Sequence, residues 1–465
     1  MVFSSIPFLY YFLPCVLLLY FAAPKRMKNT VLFLSSLFFY AWGEPKYVLL
    51  MLVTILQGYI FGILIEKTEG RWSKLCLSAS CLISLGLLFY CKYADFFIEN
   101  MNRFTGTSLP LLQITLPIGI SFYTFQIISY LVDVYRADVP AQRNFIKLGT
   151  YVTMFPQLIA GPIVRYSHIA GQLDERSHNV GKCALGIRRF VIGLGKKVLL
   201  ANVLGELISA ASQTTEPSVL FCWLYAVGCT LHIYFDFSGY SDMAIGLGNI
   251  FGFDFPENFN YPYISRSITE FWRRWHISLG AWFRDYVYIP LGGNRVSKGR
   301  WFFNIMAVWL LTGFWHGAAW GFLLWGVYFG ILLITEKLWL MKYLEKTKVL
   351  RHIYVMLIVI FSFVLFDASG ISDAFLTIKS MLGGQGLAAV TTESLYYLKS
   401  YTFVLLAAAL GATPLLPKMT ARLRKTKKGN VVINLLEPIF LMLVLITATG
   451  YIVDGSFNPF LYFRF

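Results

Sequence analysis

Apolar runs long enough to enter a lipid bilayer recur along the whole sequence, separated by short charged or turn-forming pieces. The clearest lie at 6–21, 30–42, 47–65, 75–90, 116–132, 219–235, 301–312, 322–334, 353–366, 401–416 and 431–453. A helix needs about 20 apolar residues to cross the hydrocarbon core, so a chain patterned this way has no aqueous fold open to it. Hydrophobic residues make up 57% of the chain and charged residues only 14%, where a soluble domain carries roughly a quarter. The pattern predicts an all-α, polytopic membrane protein with roughly ten to twelve spans. The shorter runs are expected to tilt, re-enter or pack against neighbours.

The formal net charge of +16 is carried mainly in short loops. Lys25, Arg26 and Lys28 form one cluster, and Lys67, Arg71 and Lys74 another. Lys342, Lys346, Lys348 and Arg351 form a third, and Arg422, Arg424, Lys425, Lys427 and Lys428 a fourth. This distribution argues for lipid rather than nucleic acid as the partner of the charge, and it places these loops in the cytoplasm. The N-terminus is then expected outside, as an anchor rather than a cleaved signal, and the last span carries the C-terminus outside as well. The seven cysteines show no metal spacing and no CxxC pair, so they read as small core residues. The basic, amphipathic stretch at 182–197 reads as a helix lying at the cytoplasmic interface.

Residues 235–301 break the pattern. They are rich in aromatics and glycine yet carry Asp, Glu, Arg and His. Such a segment is tolerated at membrane depth only where it lines a protein-enclosed cavity. Two histidines frame it: His276 in WRRWH and His316 in the apolar GFWHG. A lone histidine in a span usually hydrogen-bonds a neighbouring helix, but a neutral imidazole beside Trp315 and two glycines can also serve as a general base. Arg273 and Arg274 lie among tryptophans, where they read either as a headgroup anchor or as a mouth for a phosphate-bearing ligand. Charge alone favours the anchor slightly. Asp236, Asp242 and Asp285 are expected to be structural and paired, because an unpaired carboxylate at this depth is very costly. No HExxH, P-loop or GxSxG motif is present, and the histidines are dispersed, so no metal site is expected.

The runs YFDFSGYSDMAIGLG, ENFNYPYISRSITEFWRRWHISLGAWFRDYVYIPLGGNR and WHG together resemble the membrane-bound O-acyltransferase family. The similarity is to its bacterial branch, whose members serve alginate O-acetylation and lipoteichoic-acid D-alanylation. The opening MVFSSIPFLYYFLP, LPIGISFYTFQIISYLVDVYR and FPQLIAGPIVRY strengthen it, so the resemblance covers nearly the whole chain as a single domain, 1–465. It implies a ring of tilted helices around a thinned centre, with a funnel from each side, and makes 235–320 the catalytic core segment. It gives His316 the catalytic role and His276 a supporting one. Trp315, Arg273, Arg274, Asn294 and Ser238 become candidate substrate-binding residues.

The implied reaction takes an acyl group from a cytoplasmic thioester, acetyl-CoA or an acylated carrier, and delivers it for O-acetylation of a cell-surface polysaccharide. No permanently bound cofactor is implied, and an extracytoplasmic acetyltransferase is the expected partner. Whether the acyl group rests on histidine is left open by the sequence. The aromatic tail at 454–465, expected outside, reads first as an interfacial anchor. Tyr462 within it is a candidate acyl relay. D-alanyl transfer to teichoic acid is the nearest rival, and a flippase of lipid-linked sugars is the rival from another class. Transporters often show pseudo-symmetric halves, and none is visible here. The expected location is the bacterial cell membrane.

Overall fold

The structure is a computed structural model, and it describes residues 1–159 and 161–455. Among these residues helices carry the architecture, and the only extended pairing is an isolated bridge between Ser218 and Ala388. Six helices are long and apolar enough to cross a membrane: Pro45–Lys67, Gly70–Lys92, Val219–Ile250, Trp320–Leu344, Leu350–Asp367 and Lys427–Val453. A seventh arises if Thr392–Gly411 and Leu415–Leu423, bent by 64°, form one broken span. This is fewer than the ten to twelve expected. The other apolar runs form shorter helices, such as Lys28–Gly43 and Ile120–Tyr135, each 16 residues long. The physical reason is visible in Ile120–Tyr135, which is buried along nearly its whole length. Its apolarity serves protein packing, not lipid contact.

The helix ends sort into two faces. Arg176 donates to Tyr20 and Asn29, and Lys182 donates to the Gly252 carbonyl. These bonds gather the end of Leu13–Ala22, the start of Lys28–Gly43, the start of Val180–Gly195 and the end of Val219–Ile250 on one side. That basic face holds the loop clusters read as cytoplasmic. On the opposite face, the Tyr10 hydroxyl meets Thr449 at 2.6 Å, which brings the first and last helices to a common level.

The helix Val180–Gly195 corrects the sequence reading. It does not lie on the interface; it packs along the central helix Val219–Ile250 at glycine-to-glycine crossings. A Cβ on Gly186 would come within 2.6 Å of the Gly246 carbonyl oxygen, so only glycine permits this approach. Its basic residues and those of the following π-helical turn point inward to acids. Lys197 pairs with Asp236 at 2.6 Å, and Lys196 with Asp242 at 2.7 Å. Arg189 reaches Asp242 and Glu257, and Arg188 reaches Glu437. The Lys197–Asp236 pair is 2% and 1% exposed, so the two charges are paired away from water.

Between the central helix and Lys298–His316 the chain forms short pieces, Pro262–Ile264, Ile268–Arg274, Ile277–Phe283 and the π-helical Arg284–Tyr288. Asn258, Ser265 and His276 in this stretch are buried. Irregular backbone at depth is enclosed by protein, as the polar sequence requires.

Candidate active site

His316 ends the helix Lys298–His316, where Gly317 turns into extended backbone. The helix is held against the next one by a close crossing, since a Cβ on Gly313 would lie 2.2 Å from the Phe322 carbonyl oxygen. A helix end leaves its last carbonyls without partners, and here the caps come from far away in the chain. Lys92 donates to the Trp315 carbonyl at 2.6 Å and to the His316 carbonyl at 3.4 Å. The Tyr93 hydroxyl donates to the Phe314 carbonyl at 3.0 Å, and its ring stacks on Phe314. A cation at a helix C-terminus is also favoured by the helix dipole.

The His316 ring sits in an aromatic cage, with Trp315, Trp325 and Phe366 edge-on at centroid distances of 5.0, 5.3 and 5.2 Å. Among the described residues its nitrogens make no hydrogen bond. It lines a cavity of about 290 Å³ together with Trp315, Lys92, Glu44, Thr115 and Ser121. These walls come from the ends of Lys28–Gly43 and Gly70–Lys92 and the start of Ile120–Tyr135, which belong to the face opposite the basic one. The indole N–H groups of Trp315 and Trp325 have no acceptor among the described residues, which is uncommon for buried donors.

His276 is held differently. Its backbone is left-handed, φ 45°, a strained conformation for a residue with a Cβ. Nδ1 lies 3.3 Å from the Asn258 side-chain oxygen, which also accepts from the Ser278 hydroxyl at 2.8 Å. Asn258 in turn donates to Ser241 of the central helix. The His276 ring is edge-on to Phe237 and lies 5.9 Å from Trp315. Trp315 thus touches both histidines.

The other sequence candidates disperse. Arg274 donates to Glu270 and to the Asn260 carbonyl, so its fork is engaged within its own segment. Arg273 and Asn294 are exposed, Ser238 is buried in the central helix, and none of these four lines the His316 cavity. Asp236 and Asp242 hold the lysines and arginine described above. Asp285 pairs with Arg165 at 2.7 Å and Arg284 at 2.6 Å. Burial works against its charge, but hydrogen bonds from these two arginines outweigh that and hold the carboxyl below its ordinary range. Asp285 lines a basic-face cavity with Arg136, Arg165 and Asp133. Tyr462 lies outside the described residues. Sequence reasoning missed Lys92 and Tyr93, which read only as the end of an apolar run, and Asn258, which sits unremarked inside the quoted ENFNYP.

The sequence matches the model of the membrane-bound O-acyltransferase family over residues 136–376. It is 42% identical to a "probable alginate O-acetylase" of Azotobacter vinelandii, covering 81% of this chain and 77% of that protein. The chain belongs to the membrane-bound O-acyltransferase family. It is also 34% identical to a peptidoglycan O-acetyltransferase of Helicobacter pylori, over 83% of this chain and 81% of that one. Similarity to a teichoic acid D-alanyltransferase of Bacillus subtilis is 31% and covers 46% of this chain and 58% of that protein. The protein is therefore a multi-pass membrane O-acyltransferase, and its bacterial relatives place it in the inner membrane.

Proposed function

We propose that this O-acyltransferase supplies acetyl groups for O-acetylation of a cell-surface polysaccharide, with His316 as the general base. The observation that carries the reading is the position of the His316 ring. It is caged by aromatics, free of hydrogen bonds among the described residues, and set in the wall of a cavity reached from the face opposite the basic one. Acetyl-CoA is the donor, entering from the basic face. An acceptor hydroxyl in the cavity gives its proton to a His316 nitrogen as its oxygen attacks the thioester carbonyl. The new C–O bond forms, the C–S bond breaks, and the departing thiolate takes the proton from the imidazolium. The N–H groups of Trp315 and Trp325, which have no acceptor among the described residues, are donors available to the oxygen that becomes negative. His276, anchored through Asn258, supports the far side of Trp315. Arg273, exposed at the end of Ile268–Arg274, holds the phosphates of the donor, while Arg274 stays bonded to Glu270 and the Asn260 carbonyl.

On this reading an extracytoplasmic acetyltransferase takes the acetyl group onward, and Tyr462 relays it. The names of the relatives favour acetyl over D-alanyl transfer, because O-acetylating relatives are 42% and 34% identical over four-fifths of the chain, whereas D-alanylating ones are 31% and 29% identical over 46% and 65% of it. The test is ester-linked acetate on the cell-surface polymer in cells carrying variants at wild-type abundance. His316→Ala is expected to remove it and Tyr462→Phe to reduce it strongly. Acetylation unchanged in His316→Ala defeats the site assignment; acetylation unchanged in Tyr462→Phe defeats the relay alone.

A further inference from the structure

A second and larger cavity, about 620 Å³, opens on the same face as the His316 cavity. It lies where Val203–Ser212, the first turns of Val219–Ile250, the end of Leu350–Asp367 and Ile371–Met381 meet. Its deepest polar group is His232, only 7% exposed. His232 Nδ1 lies 2.7 Å from the Ala201 carbonyl oxygen. A carbonyl can only accept, so Nδ1 carries the proton and Nε2 is left with its lone pair. Among the described residues Nε2 makes no hydrogen bond. It is a buried acceptor of fixed tautomer in the wall of a cavity large enough for a ligand.

The rest of the lining states what that ligand is. Ser209, Ser212 and Thr377 offer hydroxyls, and Asp367 and Asp373 bring negative charge, whereas among the described residues no Lys or Arg lines the cavity. An anionic ligand would enter against two carboxylates, with no Lys or Arg among the described lining residues. A ligand rich in hydroxyls and without charge meets donors and acceptors throughout. Phe221 and Tyr225 add aromatic surface beside them. We propose that this cavity binds a neutral sugar residue, with His232 Nε2 accepting from one of its hydroxyls. Asp367 follows Phe366, whose ring packs on His316, so the sugar sits directly behind the aromatic wall of the acyl-transfer site. The binding does not depend on the role given to His316.

The test is calorimetric titration of the purified full chain in a zwitterionic detergent, which keeps sugar-headed detergents out of the cavity. Maltotriose is the neutral probe and trimannuronate the anionic one of equal length. Maltotriose is expected to bind with affinity on the order of millimolar, at least tenfold tighter than trimannuronate. His232→Gln should weaken it at least tenfold, and the cavity-filling Ser209→Trp should abolish it while the thermal transition of that protein stays in place. Ser209→Trp is the arm that stands if His232→Gln fails to fold. His316→Ala should bind maltotriose as the wild type does, which separates this inference from the acyl-transfer reading. Equal binding of the two probes, no maltotriose binding at all, or wild-type binding by a folded Ser209→Trp protein would each overturn it.

Discussion

The most consequential residue outside the recognised motif is Lys92. Its ammonium joins the carbonyls of Trp315 and His316, which lie 223 and 224 positions further along the chain. No local pattern could announce that pairing, because a lysine at the end of an apolar run ordinarily marks a membrane interface. The histidines were legible for the opposite reason: WRRWH and WHG are short, contiguous and chemically distinctive. What the sequence could not convey was the brace that fixes the depth and direction of His316. Lys92→Met keeps the length of the side chain but drops two hydrogen bonds to the histidine turn. Catalytic groups displaced by about 1 Å lose on the order of 100-fold in rate. We expect kcat to fall by about 10- to 100-fold with the KM for the thioester unchanged, and Lys92→Arg to recover part of the loss. Steady-state kinetics on the purified protein measure both. In a His316→Ala background Lys92→Met should have no further effect; a further loss there would mean that Lys92 acts elsewhere.

At the scale of elements, the basic stretch at 182–197 was the clearest misreading, and its cause is instructive. Arg188, Arg189, Lys196 and Lys197 look like an interfacial face until their partners are known. Those partners, Glu437, Asp242 and Asp236, sit on helices that the periodicity of one segment cannot see. The expectation that Asp236 and Asp242 would be paired followed from the cost of burying a bare carboxylate, but the identity of each cation did not. The Lys197–Asp236 pair gives a sharp prediction. Lys197→Met removes the cation paired with a carboxylate that is almost wholly buried, which costs about 3–5 kcal/mol. Replacing both partners, Lys197→Met with Asp236→Leu, should recover most of that loss, since apolar pairs of similar volume substitute well for buried ions. Thermal unfolding in detergent, compared across the wild type, the single and the double variant, provides the check. A single variant as stable as the wild type would show that the pair is not what solvates Asp236.

For the whole molecule, hydropathy and loop charge conveyed an all-α membrane protein but not which apolar runs form helices long enough to cross a membrane. Apolar runs such as 116–132 are as hydrophobic as lipid-facing ones, yet bury themselves against neighbouring helices. The two faces follow from helix direction, and the Tyr10–Thr449 contact ties the start of the chain to the end of its last helix. If the basic face is cytoplasmic, a cysteine replacing exposed Lys427 should react with a membrane-impermeant maleimide only in opened cells. One replacing exposed Asp454 should react in intact cells. Labelling of both from the same side would refute the arrangement. This handedness is what gives the active site its direction, because the His316 cavity opens on the face away from the basic loops.

The central claim is that His316 performs the acyl transfer, and the most direct measurement is made on the purified full chain with labelled acetyl-CoA and a hydroxyl acceptor. The wild type should release thiol and esterify the acceptor. His316→Ala, with its thermal transition intact, should lose about 100- to 10,000-fold of that rate. A folded His316→Ala protein that still transfers acetyl at the wild-type rate would contradict the account.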